Sequence, residues 1–330
     1  MEPVRGADAL DRATLFDGLS SDALDELRNM AAPFALVAGE VLFRQGDPPS
    51  GLFVIEHGLL EIAARIPGDE DGQISRIMPG EVVGEFALLD PGPRSAKVWA
   101  IEDSAGLFVP ARSIIAMLDE GRAGSVAAVD RLRTLVAART RATIERLAAE
   151  AVTEPSELRA APGGGAIAAV PLDFEMLRAL GRFAGFDDAA GAAFLAQGEG
   201  LAASRGTVLP PGDGAWLVVR GAARAAFGRG DLQEQVTIHG PGEWAGLVAA
   251  IDGGAQRLLL SAAEDAILLR MSVARFAAWR AAPGPVELAV LAGVDRQLVR
   301  DQRRATRHLG RALALARFNA IARPEPRSVA

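Results

Sequence analysis

The sequence predicts a mainly β chain with flanking α-helices, built as two tandem antiparallel barrels or jelly rolls, each followed by a long C-terminal helix. Three observations lead there. Short apolar runs punctuated by glycine and proline fill residues 34–101, the texture of many short strands joined by tight turns. Much of the same spelling returns further along the chain. Both β-rich stretches give way to segments whose apolar residues recur at the 3.6-residue period of a helix.

Residues 1–12 read as a flexible N-terminus. Ser20-Ser21-Asp22 then starts a helix, with Asp25 and Glu26 near its positive end and Leu24, Leu27 and Met30 facing inward. Beyond Pro33 we expect strands at 34–37, 41–44, 52–56, 59–65 and 73–78. Their turns fall at Gly39, Gly46-Asp47-Pro48-Pro49, His57-Gly58 and Pro67-Gly68-Asp69. Residues 111–151 read as helix, broken around 121–124, with an inward stripe of Val129, Leu132, Val136, Thr140, Ile144 and Leu147. Arg139, Thr143 and Arg146 interrupt any strict heptad, which favours a monomer or weak homodimer over a tight coiled-coil dimer. Residues 152–172, rich in Pro, Gly and Ala, form a linker.

Chemistry concentrates between Val82 and Trp99. Val83 leads into Gly84, where backbone can approach a ligand closely, then Glu85 and a short apolar helix of Phe86, Ala87, Leu88 and Leu89. Asp90-Pro91-Gly92-Pro93 stops that helix, and the chain returns through Arg94-Ser95-Ala96 into a strand at 97–101. A helix start lined by small residues offers unpaired N–H groups to an anion. Arg94 supplies a forked cation suited to phosphate oxygens. Glu85 adds an acceptor, which a bare phosphate would not want but a ligand that also carries a hydroxyl would use.

This constellation resembles the phosphate-binding cassette of cyclic nucleotide-binding domains, as found in bacterial catabolite activator proteins, protein kinase A regulatory subunits and cyclic-nucleotide-gated channels. The resemblance rests on Gly84-Glu85-Phe86-Ala87-Leu88-Leu89 followed by Pro93-Arg94-Ser95-Ala96. It implies a jelly roll in which Glu85 accepts from the ribose 2′-hydroxyl and Arg94 grips the cyclic phosphate. Val83, Gly84, Phe86, Ala87, Ser95 and Ala96 would complete the pocket. By the same resemblance a helix lies over the pocket, and Thr140 becomes a candidate contact to the base. Ser95 beside the phosphate arginine suits cyclic AMP, with cyclic GMP as the other possible ligand.

The repeat defines two copies. Gly206-Thr207-Val208-Leu209 echoes Gly39-Glu40-Val41-Leu42, Pro241-Gly242-Glu243 echoes Pro79-Gly80-Glu81, and an ungapped shift of 162 carries Asp103 onto Asp265. The expected layout is a first cyclic nucleotide-binding domain at 13–151, the linker, a degenerate second domain at 173–322 and a tail at 323–330. The shift places Gly246 at Gly84, Leu247 at Glu85 and Gln256 at Arg94, with Arg257 one place along. Leucine cannot accept from a hydroxyl and glutamine brings no charge, so one competent site per chain is expected.

Residues 286–322 read as one long helix. Leu291, Val294, Leu298, Ala305 and Leu309 mark its apolar side, and Arg296, Arg300, Arg303, Arg307 and Arg311 form a basic stripe. That stripe reads either as a docking surface for an acidic partner or nucleic acid, or as a solvated face. Ala305 to Gly310 faintly resembles a helix-turn-helix turn, but its spacing is one residue too long. Too few residues follow it for a complete recognition domain.

Composition narrows the classes. Cysteine is absent, which excludes disulfides, a thiolate nucleophile and Cys-ligated metal, and three scattered histidines argue against a histidine-rich metal site; no cofactor is expected. A net charge of −7 argues against a chain built mainly to hold nucleic acid. No apolar run spans a membrane and no signal-like leader opens the chain. With Lys97 the sole lysine among many arginines, the composition has a bacterial style. The expectation is a cytoplasmic, non-enzymatic receptor for cyclic AMP, in which ligand shifts a conformational equilibrium that controls an unidentified protein partner. The alternative is a cyclic-nucleotide-responsive DNA-binding regulator that uses the basic C-terminal helix.

Overall fold

The computed structural model describes residues 7–17, 19–66, 69–90, 92–120, 123–150, 159–160, 165–210, 214–229 and 232–322. The first half opens with α1 (Ala7–Arg12) and α2 (Ser21–Met30). Eight strands follow: β1 (Ala32–Leu36), β2 (Val41–Phe43), β3 (Gly51–His57), β4 (Leu60–Ile66), β5 (Asp69–Ile77), β6 (Val82–Val83), β7 (Lys97–Ala100) and β8 (Ser104–Pro110). The short α3 (Phe86–Leu89) sits between β6 and β7, and α4 (Ala111–Asp119) and α5 (Ala123–Glu150) close this half. All the strand pairings are antiparallel, in sheets ordered β1-β8-β3-β6 and β2-β7-β4-β5. This is the β-rich jelly roll with helices that the turn spacing predicts.

The second half repeats the plan. β9 (Arg159–Ala160), β10 (Ile167–Ala169), α6 (Phe174–Arg178) and α7 (Asp188–Leu195) lead in. They are followed by β11 (Glu199–Ala203), β12 (Ala215–Arg220), β13 (Ala223–Arg229), β14 (Leu232–His239) and β15 (Trp244–Ala245). Then come α8 (Leu247–Asp252), β16 (Leu259–Ala262), β17 (Ala266–Met271), α9 (Val273–Ala281) and the long α10 (Pro285–Ala322). The order β11-β17-β12-β15 matches β1-β8-β3-β6, and β16-β13-β14 matches β7-β4-β5. The β2–β7 pairing survives here as a single bridge between Val208 and Ser261.

Local chemistry explains the helix starts. Ser20 caps α2 through the Ala23 N–H, and Asp187 caps the equivalent α7 through the Ala190 N–H. Residues 7–12, expected to be loose, include helix α1, because Leu10 finds a fully buried place in the core. Within the expected linker, residues 159–160 add a strand edge to β14 and residues 167–169 pair with β11. The Gly163-Gly164 part of the linker, the Pro67-Gly68 turn, the expected helix break at Gly121 and the tail at 323–330 lie outside the described residues.

The long helices pack on each other. Val129, Leu132, Val136 and Ala137 of α5 share one buried cluster with Val290, Leu291, Val294 and Leu298 of α10. Beyond that crossing, Ile144 and Leu147 of α5 join Ala305 and Leu309 of α10 in a second buried cluster with the second half's barrel.

Ion pairs follow the repeat. Arg133 on α5 donates to both carboxylate oxygens of Asp295 on α10, at 2.6 and 3.0 Å. Arg303 on α10 donates to Asp90 at the end of α3 at 2.8 Å. The shifted counterpart is present as well: Arg141 on α5 donates to Asp252 at the end of α8 at 2.5 and 2.6 Å. Each half's long helix therefore grips the short helix of the other half.

Candidate functional site

The cassette begins with a turn that only glycine makes without strain. Gly84 has φ of +83°, and a Cβ there would stand 2.5 Å from Nη1 of Arg94. α3 starts at once, with the Ala87 N–H donating to the Gly84 carbonyl at 3.1 Å. It ends where the Asp90 N–H donates to the Phe86 carbonyl at 2.8 Å. On the return, the Arg94 N–H donates to the Asp47 carbonyl and the Arg94 carbonyl accepts from the Gly46 N–H. The β2–β3 turn thus fixes the backbone of Arg94 beside α3.

Arg94 is 7% exposed. Nη1 donates to the Gly84 carbonyl at 2.9 Å and Nη2 to the Gly51 carbonyl at 2.8 Å. Its guanidinium carbon lies 4.3 Å from the centre of the Phe43 ring. Among the described residues Arg94 forms no ion pair. Burial lowers its pKa, opposed by the nearby carboxylates of Glu85 and Asp47, yet an arginine stays charged. A buried guanidinium resting on neutral carbonyls and a ring is a charge that an anion would complete.

Glu85, 3% exposed, accepts from Nη1 of Arg139 on α5, while Nη2 of Arg139 donates to the Val82 carbonyl at 2.9 Å. A carboxylate has acceptor capacity beyond one such bond. Val83, Gly84, Glu85, Phe86, Ala87, Arg94, Ser95 and Ala96 all border one cleft of about 620 Å³. Its opposite wall is Arg139, Ala142, Thr143 and Arg146 of α5 together with Gln302, Arg303, Thr306 and Arg307 of α10.

Thr140 is not in that wall. Its hydroxyl donates to the Val136 carbonyl at 2.8 Å, and the residue, 1% exposed, borders the small cavity of the second half. The expectation of a base contact at Thr140 is corrected. α5 is buried on more than one side, so an inward residue can face either half, and the cleft receives Thr143 instead. Sequence reasoning also missed Arg139, set aside as a heptad interruption, and the whole contribution of α10. The repeat spacing held a signal for the latter, because it aligns Arg141 with Arg303 and Asp90 with Asp252.

The second half keeps the frame of the cassette without its charges. Gly246 has φ of +80° before α8, as Gly84 does before α3. Leu247 is buried where Glu85 stands, and Gln256 donates to the Leu258 carbonyl at 3.0 Å. Arg257 turns outward to Glu145 at 2.8 Å. Asp301 occupies the position of Arg139, and burial raises its carboxyl pKa while His239 opposes the rise. What remains is a cavity of about 60 Å³ walled largely by apolar groups such as Ile144, Val236, Leu247 and Leu260.

Residues 34–120 match the family model described as the cyclic nucleotide-binding domain. They form one such domain. Over 94 residues the chain is 29% identical to the CRP-like cAMP-activated global transcriptional regulator of Mycobacterium tuberculosis, covering 28% of this chain and 42% of that protein. It is 37% identical over 103 residues to the acetyltransferase Pat of Mycolicibacterium smegmatis, covering 31% and 30% respectively. It is also 33% identical over 90 residues to the cAMP-dependent protein kinase regulatory subunit of Blastocladiella emersonii, covering 27% and 22%. The chain spans less than half the length of these curated relatives. Among solved structures it is similar to the regulatory domain of Toxoplasma gondii PKA with cAMP, at 16% identity and a TM-score of 0.33, covering 89% of this chain and 94% of that one. The cyclic nucleotide-binding domain is thus related both to CRP-like transcription regulators and to kinase regulatory subunits. Among the described residues no helix is long and apolar enough to cross a membrane.

Proposed function

We propose that the chain is a cyclic nucleotide receptor with one competent site, in the first of two tandem cyclic nucleotide-binding domains at 13–151 and 173–322. The observation that carries this reading is Arg94: buried, charged and unpaired by any carboxylate among the described residues, at a cleft beside Glu85. In the proposed complex Arg94 takes the cyclic phosphate, Glu85 accepts from the ribose hydroxyl, and Val83, Gly84, Phe86, Ala87, Ser95 and Ala96 shape the pocket. The ligand proposed is cyclic AMP in preference to cyclic GMP, supported by Ser95 after the arginine and by the CRP-like relative. The second domain, with Leu247 and Gln256 in place of the acid and the cation, binds no nucleotide.

Ligand would then fix the cassette and the helices that wall the cleft in one arrangement, altering the surface offered to a protein partner. The basic stripe of α10 gives little support to the DNA-binding alternative. Arg303 is engaged with Asp90, Arg300 pairs with Glu243, and Arg307 and Arg311 border the cleft. Titration calorimetry of the full chain tests the proposal. One cyclic AMP per chain is expected, bound more tightly than cyclic GMP and weakened roughly 30-fold or more by Arg94→Ala. Two ligands per chain, or normal binding by Arg94→Ala, would overturn it.

A further inference from the structure

We infer that the second half completes the first half's site, with Arg303 of α10 acting as the positioning residue that holds the cassette loop. The inference rests on the cleft being the nucleotide site. Arg303 spans the loop between α3 and Arg94. Its Nη1 donates to Oδ2 of Asp90, the residue that ends α3, at 2.8 Å, and its Nη2 donates to the carbonyl of Pro93 at 2.9 Å. Pro93 directly precedes Arg94. The second oxygen of Asp90 accepts from the Gly92 N–H at 3.2 Å, so the carboxylate is pinned from within the loop as well. The fit is close, since a Cβ on Gly92 would stand 3.2 Å from Nη1 of Arg303. One guanidinium from the other half therefore ties the end of the helix that follows Glu85 to the residue before Arg94.

The second half contains the same device between the equivalent residues. Arg141 donates to both oxygens of Asp252 and to the carbonyl of Ala255, and Oδ1 of Asp252 accepts from the Gly254 N–H at 2.9 Å. There the cassette has lost its acid and its cation, so the contact has no ligand to serve and works only in docking the halves. In the first half the same contact bears on a loop that carries Arg94. The repeat thus supplies an internal control: two equivalent latches, one on a charged cassette and one on a silent one.

The test measures cyclic AMP binding by calorimetry and thermal unfolding on the full chain. Arg303→Ala is expected to weaken binding about tenfold, within the roughly 5- to 150-fold range typical of coupling between sites. Asp90→Ala should lose as much, and the double variant no more than either single one, because the two residues act as one unit. Exchanging the charges, Asp90→Arg with Arg303→Asp, should recover part of the affinity. Arg141→Ala should lower the unfolding midpoint yet leave binding within about twofold of wild type. Wild-type affinity in Arg303→Ala would overturn the inference. So would a loss in Arg303→Ala unmatched by Asp90→Ala, which would mark direct ligand contact, or an equal loss in Arg141→Ala, which would mark general loosening. Absence of cyclic AMP binding by the wild-type chain would overturn the parent reading, and this one with it. An unaffected Arg303→Ala beside a binding wild type would overturn this one alone.

Discussion

Arg133 and Asp295 stand at equivalent positions of the two long helices, 162 residues apart, and meet in a two-pronged, buried ion pair. In a symmetric dimer of identical helices, such a pair of positions would set arginine against arginine or aspartate against aspartate. Here the two equivalent positions carry opposite charges at the place where the helices face each other. The contact therefore suits α5 to α10 of its own chain better than to a second α5.

Breaking this pair from one side should be costly. Asp295→Ala leaves the buried Arg133 guanidinium with only the more distant Asp130 carboxylate, 3.9 Å away, and a loss of about 3 kcal/mol of stability is expected. Replacing both partners with apolar residues, Arg133→Met with Asp295→Leu, should be far milder, because neither charge is then stranded. Urea denaturation of the three proteins compares them directly. Similar losses in the single and double variants would contradict the argument.

The same packing predicts a monomer. The α5 stripe at Val129, Leu132 and Val136 is already buried within the chain. Light scattering at micromolar concentration should return the mass of one chain. A tight dimer that persists below a micromolar would refute this.

At the cassette, Gly84→Ala should abolish cyclic AMP binding. The new Cβ is forced into a left-handed backbone and against Nη1 of Arg94. Gly39→Ala has a comparable φ of +87° but open space around it, so it should cost stability and leave affinity unchanged. Calorimetry on both variants separates strain from loss of the site.

Gln256→Ala and Arg257→Ala test the proposal that the second cassette binds no nucleotide. Neither should change affinity or the stoichiometry of one. A drop in stoichiometry for either would mean that the second cavity takes ligand.

Two buried histidines act against stability on mild acidification, while the raised carboxyl pKa values of buried Asp295 and Asp301 act the other way. Burial lowers the pKa of His239, with Asp301 and Glu243 opposing and Arg304 and Arg300 assisting. Burial lowers that of His308 too, assisted by Arg311 and Arg307. A histidine depressed in the folded state takes up its proton more readily when unfolded. Its contribution to stability is therefore full above the ordinary histidine value and is lost as pH falls through it towards the folded value. Between about pH 7.5 and 5.5, the denaturant midpoint of His239→Gln should shift less downward than that of the wild type. An identical shift in that variant would rule out His239 as a source.

Much of this was legible in the chain because it is local. Glycine, acid, short apolar helix, breaker and arginine occur within a dozen positions, and their backbone geometry follows from residue type alone. The repeat was legible because the strand turns reuse the same glycines. The faces of α5 were not. Periodicity marks which residues turn inward but not which of two barrels they meet, so it does not tell that Thr140 borders the second half's cavity and Arg139 the cassette's cleft. Helix α1 is not legible in the sequence, because the burial of Leu10 in the core is set by tertiary packing rather than by a local signal. The hold of Arg303 on Asp90 joins residues 213 positions apart, and only the repeat spacing, applied to Arg141 and Asp252 as well, hints at it.

Joining α5 and α10 in one chain changes how a response would scale. A seam between separate chains comes apart on dilution, so its signal depends on how many molecules a cell holds. A seam closed within the chain forms by a unimolecular step at a fixed effective concentration. A receptor of this design would trip at the same level of messenger whether a cell contained a few copies or thousands.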